Sequence, residues 1–363
     1  MRICIVASNK LMLDNCCAFL INGSLVEIAE TIQVITPFKI TFRLSRFLEQ
    51  LRVIFLSKNR KISFNFYNII MKVHYDLVIS AEPLFPNYIS GDNVIVVGHS
   101  PIFLKYKGNE IYPYLSKRLL DAQNQFERVI YLESFHETYK KIVKENKNFE
   151  NCIEVTGSPY FDKESVTKEI YSKADVILGS DKKSTKVLIQ STWGPSLIEE
   201  QFQILCQKIP KMYPEFEFYF SLHHNHFFGP YSAKNPFGKL VMECSKHTDN
   251  VHLVTNQYNR LALMRAVDFV ISDHNALVVL AEFYNKKTLV YHPSNSRHDT
   301  EILEAVCANA AHVKKKNLFE EQINILLCEK SKGTIVNSQS LDTQKCFVTN
   351  YKKNVSKLLL EIL

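Results

Sequence analysis

The chain has 363 residues and a mass of 42.0 kDa, which at roughly 100–200 residues per domain predicts two domains. Hydrophobic residues make up 46% and charged residues 22%, and Gly and Pro are scarce, so collagen-like, linker-like and low-complexity chains are excluded. The net charge of +7 is spread along the chain rather than concentrated in one tail, which argues against a dedicated nucleic-acid-binding protein.

The first half alternates short β-branched runs with amphipathic stretches, which is typical of α/β units around a parallel sheet. Strands are predicted over Arg2–Ala7, Leu77–Ser80, Val94–Val97, Arg128–Leu132 and Ile153–Thr156, and helices over Ser45–Ser57 and Glu137–Glu145. Ligands of open α/β sheets bind at the carboxyl ends of the strands, so the loops after these strands are candidate sites.

The second half repeats the alternation. Strands are predicted over Val187–Gln190, Phe216–Leu222, Val251–Thr255, Phe269–Ser272 and Thr288–Tyr291. Helices are predicted over Ser196–Pro210, Phe237–Lys246, Asn259–Ala266, Ala276–Tyr284, Asn317–Cys328 and Asp342–Leu363. The pattern therefore predicts two Rossmann-like domains, over residues 1–165 and 185–340, with a polar linker at 166–184 and a C-terminal helix at 341–363.

Gly98-His99-Ser100-Pro101 follows a predicted buried strand of the first domain. A histidine held there has an ordinary pKa near 6.5 and suits a general base at neutral pH. The alternative is a histidine that only shapes the turn.

Ser221-Leu222-His223-His224-Asn225-His226 ends an aromatic strand. Neighbouring residues of a continuing strand point to opposite sides, and no carboxylate or Cys lies close in sequence, so we expect no metal here. We favour one functional histidine, His223, that binds or protonates an anionic group.

Two further loops carry polar residues before a helix. Ser272-Asp273-His274-Asn275-Ala276 offers natural N-cap residues, and the N–H groups of a helix start also suit phosphate. Gln190-Ser191-Thr192-Trp193-Gly194 contains the one Trp of the chain, which either anchors its loop or contacts a ligand. We predict that a nucleotide binds between Thr192 and Ser296.

Several common enzyme motifs are missing from the sequence. It contains no G-x-x-x-x-G-K-[ST], no G-x-G-x-x-G and no G-x-S-x-G. These gaps argue against a P-loop enzyme, a dinucleotide oxidoreductase and an α/β hydrolase.

In order and spacing, these loops resemble motifs of the CDP-glycerol glycerophosphotransferase family, GT-B enzymes that polymerise teichoic acids and related capsule polymers. The corresponding segments are Gly98-His99-Ser100-Pro101, Gly157-Ser158-Pro159-Tyr160-Phe161-Asp162, Gln190-Ser191-Thr192-Trp193, Ser221-Leu222-His223-His224, Ser272–Ala276 and Asn285-Lys286-Lys287. The family's phosphate-binding serines are replaced by Asn275 and Ala276. The family has an acidic residue in the next helix, and this chain has Leu280 at that position. Glu282 lies two positions later, about 200° further around the helix.

The resemblance implies a GT-B fold, with two Rossmann-like domains facing across a cleft and a terminal helix closing the structure. It implies transfer of glycerol phosphate from CDP-glycerol to a glycan or glycolipid hydroxyl, with His99 and His223 catalytic. Thr192, Trp193, Ser272, Asp273, His274, Asn275 and Ala276 would bind the donor. No cofactor or metal is expected. The alternatives are a GT-B glycosyltransferase with a CMP- or UDP-sugar donor, and a non-catalytic GT-B-like subunit.

Nine scattered cysteines form neither a disulfide framework nor a zinc motif, and the first apolar run is too short for a signal peptide. A cytoplasmic protein is therefore expected. The aromatic and basic stretch Lys39–Arg60 predicts weak, salt-sensitive contact with the inner membrane face, unless that stretch packs in the core.

Overall fold

The computed structural model describes residues 1–7, 10–35, 62–65, 73–83, 85–98, 106–107, 110–111, 113–145, 147–161, 184–255, 257–296, 300–328, 347–348 and 350–362. His99, most of the predicted linker, the predicted helix Ser45–Ser57 and the whole stretch Lys39–Arg60 lie outside these ranges. Chain contacts divide the molecule into two compact units, residues 1–165 with 347–363, and residues 166–346.

The first unit contains a parallel sheet of seven strands within the described residues, and a two-stranded antiparallel hairpin. In chain order the strands are β1 (Arg2–Val6), β2 (Thr31–Ile35), β3 (Ile62–Asn65), β4 (Val73–Ser80), β5 (Ile89–Val96), β6 (Tyr106–Lys107), β7 (Glu110–Ile111), β8 (Phe126–Glu133) and β9 (Ile153–Val155), with β6 and β7 forming the hairpin. The order across the sheet is β3-β2-β1-β4-β5-β8-β9, a doubly wound arrangement that reverses between β1 and β4.

Helices of the first unit are α1 (Lys10–Asn22), α2 (Leu25–Ile28), α3 (Pro113–Gln123), α4 (His136–Glu145) and, from the end of the chain, α13 (Tyr351–Ile362). Tyr351, Val355 and Leu359 of α13 are buried in one apolar cluster with Phe19 of α1, so the last helix belongs to the first unit. This helix begins at Tyr351 and not at Asp342, because Asn350 has φ 67° and such a backbone does not continue a right-handed helix.

The second unit contains a parallel sheet of six strands within the described residues. These strands are β10 (Thr185–Ser191), β11 (Phe216–Leu222), β12 (Val251–Leu253), β13 (Phe269–Ser272), β14 (Lys287–Tyr291) and β15 (Ala311–Val313). Their order, β12-β11-β10-β13-β14-β15, is again doubly wound and reverses between β10 and β13. Every residue of β10 is buried, as expected for a central strand covered by helices on both faces.

Helices of the second unit are α5 (Leu197–Gln203), α6 (Ile209–Met212), α7 (Gly229–Lys234), α8 (Phe237–His247), α9 (Gln257–Ala266), α10 (Val278–Phe283), α11 (Thr300–Val306) and α12 (Phe319–Cys328). A π-helical turn at Ile204–Lys208 joins α5 to α6. Phe218 and Phe220 of β11 are fully buried in an apolar cluster that also contains residues of α5 and α12, and each contributes about 1.5–3 kcal/mol of hydrophobic burial. No helix in the described ranges combines the length and apolar character that crossing a bilayer requires.

Candidate functional site

The carboxyl ends of β10 and β13 meet where the strand order of the second sheet reverses. The two strands pair in register, with Gln190 beside Ser272, so the loop at Thr192 and the turn at Asp273 leave the same edge. In doubly wound sheets this reversal is the usual place for a ligand. The sequence-predicted residues Thr192, Trp193, Ser272, Asp273, His274, Asn275 and Ala276 are therefore brought together at one sheet edge.

The Asp273 side chain is fully buried and holds the β10 loop. Its Oδ2 accepts hydrogen bonds from the Ser191 hydroxyl and the Leu197 N–H, both at 2.9 Å, and its Oδ1 accepts from the Thr192 N–H at 2.9 Å. Burial raises the pKa of Asp273 to about 6, although these donors favour the carboxylate. Asp273 thus positions the loop from within, and its direct contact with a donor stays a prediction.

The loop after β10 carries a half-exposed aromatic surface. Trp193 is 39% exposed, and its ring lies 5.7 Å from Tyr231 and 5.9 Å from His223, measured between centroids. The Tyr231 hydroxyl accepts from the Gly194 N–H at 2.8 Å and donates to the Gly194 carbonyl at 2.9 Å. Trp193 therefore stands on a fixed loop with part of its ring available to a ligand.

The histidine segment turns at the end of β11, so its side chains do not alternate as they would on a continuing strand. The strand ends at Leu222, and the rings of His223 and His224 lie 4.1 Å apart. The Nδ1 of His223 accepts from the Asn225 N–H at 3.2 Å, which leaves the ring proton of the neutral form on Nε2. His223 is thus oriented by its own turn.

His226 has a different role from His223. It is fully buried, and its Nε2 donates to the Thr192 carbonyl at 2.6 Å. Burial lowers its pKa, so the ring is neutral at physiological pH. His226 therefore supports the Trp193 loop from below, and the three histidines do not converge on one point.

Arg260 is a functional candidate that the sequence analysis missed. It lies on α9, and its Nη2 donates to the Leu222 carbonyl at the end of β11. Burial lowers its pKa to about 10, so the guanidinium stays charged at neutral pH beside His224. Its buried Nε has no hydrogen-bond partner. The available signal was an Arg early in the helix that follows a strand ending at this sheet edge.

The turn after β13 uses its own atoms to begin α10. The Asn275 side chain accepts from the Leu277 N–H at 2.9 Å, and the Asn275 carbonyl accepts from the Val278 N–H at 2.9 Å. Leu277, and not Asn275, occupies the N-cap position of α10. Asn275 forms the turn just before it, and these two N–H groups are taken by that turn rather than offered to a phosphate. Ser272 is fully buried and Ala276 is half-buried.

His274 faces inward into a chain of histidines. Its Nδ1 is hydrogen-bonded to the Ser296 hydroxyl, and its Nε2 lies 2.9 Å from the Nδ1 of His292. The Nε2 of His292 lies 2.9 Å from the Nδ1 of His312, whose Nε2 donates to the Cys307 carbonyl at 2.9 Å. Burial lowers the pKa of His292 to about 4, so this imidazole is neutral.

Glu282, the acidic residue of α10, is directed toward Asn309. Leu280 is buried, and the Glu282 carboxylate accepts from the Asn309 side chain at 2.6 Å. Glu282 is thus engaged with the segment before β15 and does not replace the family's acidic residue.

In the first unit, the backbone beside His99 is described but His99 is not. Gly98 has φ 74°, and its carbonyl accepts from the Asn15 side chain at 2.9 Å. Glu133, which the sequence analysis did not select, ends β8 fully buried, and its Oε1 accepts from the Ser134 and Phe135 N–H groups at 2.7 and 3.4 Å. Burial raises the pKa of Glu133 to about 7.

No family model matches this sequence, and no curated protein matches it either. Solved structures, however, share its fold along nearly the whole chain. The UDP-GlcNAc 2-epimerase from Neisseria meningitidis, bound to UDP-GlcNAc, has a TM-score of 0.60 at 13% identity, covering 99% of this chain and 100% of that one. The wall teichoic acid polymerase TagF has a TM-score of 0.60 at 10% identity, covering 99% of this chain and 88% of that one.

A glycosyltransferase from Rickettsia africae gives a TM-score of 0.52 at 12% identity, with 99% and 97% of the two chains covered. At identities this low, structural similarity establishes the fold alone, and the activity has to be argued from the site. The predicted fold class is confirmed: the chain is α/β, with two Rossmann-like sheets of the GT-B kind.

Proposed function

We propose that this chain is a transferase of surface-polysaccharide assembly that uses a nucleotide-activated donor, with CDP-glycerol as the first candidate. The observation that carries the proposal is the cluster of Trp193, His223 and Arg260 at the reversal edge of the second sheet. An aromatic ring suits a nucleotide base, and an imidazole with a nearby guanidinium suits its phosphates.

The buried residues below this cluster serve to hold it. Asp273 fixes the start of the loop, and His226 fixes the Thr192 carbonyl. Groups held in advance at a site need no rearrangement when charge develops on the phosphates. Such fixed positioning and electrostatic stabilisation supply most of the catalysis of phosphoryl transfer.

In the proposed reaction, His99 accepts the proton of an acceptor hydroxyl. That oxygen attacks the β-phosphorus of CDP-glycerol and forms the new P–O bond. The bond between the β-phosphorus and the bridging oxygen breaks, and CMP leaves with the electron pair. His223, as an Nε2–H donor, and Arg260 stabilise the negative charge on the phosphates, and no step requires a metal.

The donor has two supported candidates. One structure of TagF with the same fold was soaked with CDPG, which together with the loop motifs favours CDP-glycerol. Among proteins of this fold, a UDP-GlcNAc 2-epimerase binds UDP-GlcNAc and MnaA of S. aureus binds UDP. These ligands, with the replacement of the family's serines by Asn275 and Ala276, favour a nucleotide sugar. In that second case the acceptor oxygen attacks the anomeric carbon, and the nucleotide leaves with the phosphate.

The acceptor proposed in both cases is a glycan or glycolipid hydroxyl at the cytoplasmic face of the membrane. Weak contact with anionic lipid would bring the enzyme to such an acceptor. It should disappear at high salt, because scattered surface charges are screened within about 10 Å at 0.1 M ionic strength.

The test is a donor panel on the purified full-length chain. CMP, CDP, UMP, UDP, CDP-glycerol and UDP-GlcNAc are each added at saturating concentration, and the melting temperature and the released nucleotide are measured. CMP released from CDP-glycerol in the presence of a glycan acceptor supports the first candidate, and UDP released from UDP-GlcNAc supports the second. A chain stabilised by none of the six would be a non-catalytic subunit.

A further inference from the structure

Three side chains from consecutive elements of the second unit converge beside the last two strands. His292 directly follows β14, Glu304 lies on α11 and His312 lies in β15. One ligand atom from each lies within 4.8 Å of the others, and the His292 Nε2 is 4.0 Å from the Glu304 Oε1. Since β14 and β15 pair through Val290 and His312, the sheet itself fixes the spacing of the two histidines.

In each imidazole, the nitrogen that points away from the proposed ion already has a hydrogen-bond partner, and this orients the ring for metal binding. The Cys307 carbonyl accepts from the His312 Nε2–H at 2.9 Å, which leaves the His312 Nδ1 as a bare lone pair. On the other side, the His292 Nδ1 lies 2.9 Å from the His274 Nε2. Metal-bound histidines characteristically donate their second N–H to a carbonyl or a similar partner, which fixes the ring.

We propose that His292, Glu304 and His312 bind a divalent transition-metal ion, Zn²⁺ by preference, with water in the fourth position. Two imidazole nitrogens and one carboxylate oxygen form a donor set that Zn²⁺ takes in known proteins, and imidazole also suits Co²⁺ and Ni²⁺. His292 is 6% exposed and Glu304 33%, so the ion would be half-enclosed and reached from the Glu304 side. The histidine-rich segment His223–His226 is a different place in the chain, and there His223 and His226 have separate hydrogen-bond partners.

Metal binding requires protons to shift along the chain of histidines, but no proton has to leave the protein. Without metal, the proton between His292 and His312 lies on the His292 Nε2, because the His312 Nδ1 has none. On binding, this proton moves to the His292 Nδ1 and is donated to His274. The His274 proton moves in turn to its Nδ1 and is donated to the Ser296 hydroxyl oxygen. The ion would therefore be coupled through two histidines to Ser296, in the loop that follows β14.

Lys314 competes with the ion for Glu304. Its Nζ lies 2.8 Å from the same Oε1, but the lysine side chain is 63% exposed and can move into water. Replacement of this lysine should therefore tighten metal binding, because it removes a positive charge next to a cation. This sign distinguishes the proposed site from one elsewhere on the chain.

The test is titration of the metal-stripped full-length protein with Zn²⁺ alone by calorimetry, with a parallel Co²⁺ titration followed by visible absorption. We expect one ion per chain, a rise in melting temperature and a Co²⁺ spectrum of low coordination number. Since loss of an outer partner costs about 10–100-fold in affinity, His312→Gln and Glu304→Gln should each cost more, His274→Gln should fall within that range, and Lys314→Ala should bind more tightly.

Two matched controls locate the ion. His252→Gln removes a histidine paired with Glu217 in the same unit, and His224→Gln removes one from the His223–His226 segment. Both should bind Zn²⁺ as the parent does. Binding that survives His312→Gln and Glu304→Gln in folded proteins, or that is lost in His224→Gln, overturns the proposal. The metal is measured without any donor, so failure here is distinct from failure of the proposed transferase function.

Discussion

The Asp273 carboxylate at the end of β13 accepts a hydrogen bond from the Ser191 hydroxyl at the end of β10, over 2.9 Å. This bond joins the two strands at the point where the sheet order reverses. It also fixes the loop that carries Trp193, because the same carboxylate accepts from the Thr192 and Leu197 N–H groups. The candidate site is therefore organised by a buried charge that lies beneath it.

Asp273→Asn should destabilise the protein by about 1–3 kcal/mol and weaken nucleotide binding. The amide retains one acceptor oxygen. Its NH₂ group replaces the other oxygen and therefore faces hydrogen-bond donors that it cannot accept from. Urea unfolding and nucleotide titration measure the two effects. The matched control is Asp249→Asn in an exposed turn, which should change neither. A stable Asp273→Asn protein with parental affinity would contradict the positioning role.

Glu133→Gln should change how stability depends on pH. The folded protein raises the pKa of Glu133 from 4.5 to about 7, so the folded state retains this proton where the unfolded state has lost it. Its contribution to stability is therefore present below about pH 4.5, falls as pH rises to about 7, and is then constant. Above pH 7 the ionised Glu133 costs on the order of 3 kcal/mol.

The glutamine retains the Oε1 that accepts from Ser134 and Phe135, and it carries no charge. The difference in unfolding free energy between variant and parent should therefore grow in the variant's favour from pH 4.5 to 7. Glu127→Gln, on an exposed position of the same strand, is the control and should give a flat difference. A flat difference for Glu133→Gln as well would show that its carboxylate is not disfavoured by burial.

Gly157→Ala should be more destabilising than Gly229→Ala. Both glycines have positive φ, 84° and 82°, which costs an alanine about 1 kcal/mol. A β-carbon on Gly157 would also overlap the carbonyl oxygen of Val348, whereas one on Gly229 would meet nothing within 4 Å. Thermal or urea unfolding of the two variants gives the difference, and equal losses would mean that Val348 moves aside without cost.

Five of the six strands that the structure describes in the second unit were predicted, and the central one, β10, is buried throughout. The strand β15 was missed because its three residues are too few to show a pattern. The helix α1 was missed because most of its described side chains are buried, including Met12, Cys16 and Phe19, so it lacks the polar face on which periodicity depends. β5 begins five residues earlier than predicted, at Ile89, because the alternating polar residues Ser90 and Asp92 obscure it.

The position of the candidate site was predictable from strand ends, but the direction of each side chain was not. Asp and Asn are typical both of helix caps and of ligand sites, so residue type does not separate the two roles for Asp273 and Asn275. Only the packing shows that Asp273 points inward. His292, Glu304 and His312 lie 12 and 8 residues apart, a spacing that matches no short metal motif. The pairing of β14 with β15 brings the two histidines together, and α11 places Glu304 beside His292.

His99→Ala should lower kcat by about 10²–10⁴ with little change in donor affinity, if His99 accepts the acceptor proton. The donor is bound by the second unit in the proposed function, so the loss should fall on turnover alone. Steady-state kinetics with the donor identified by the panel, with thermal melts in parallel, measure this. Near-parental turnover by a well-folded His99→Ala protein would remove the proposed base.

The last prediction separates His223 from His226, three positions apart in one segment. His223→Ala should weaken nucleotide binding as well as turnover, because its oriented Nε2–H is proposed to donate to the phosphates before and during the reaction. His226→Ala should instead lower the unfolding free energy by about 2–3 kcal/mol, because it removes a fully buried ring and its hydrogen bond to the Thr192 carbonyl. Nucleotide titration and urea unfolding of both variants give four numbers. With the roles as assigned, affinity falls with near-parental stability in His223→Ala, and stability falls first in His226→Ala. Should His223→Ala lose stability and keep its affinity, His223 would be a structural residue like His226, and the phosphates would be left to Arg260 alone.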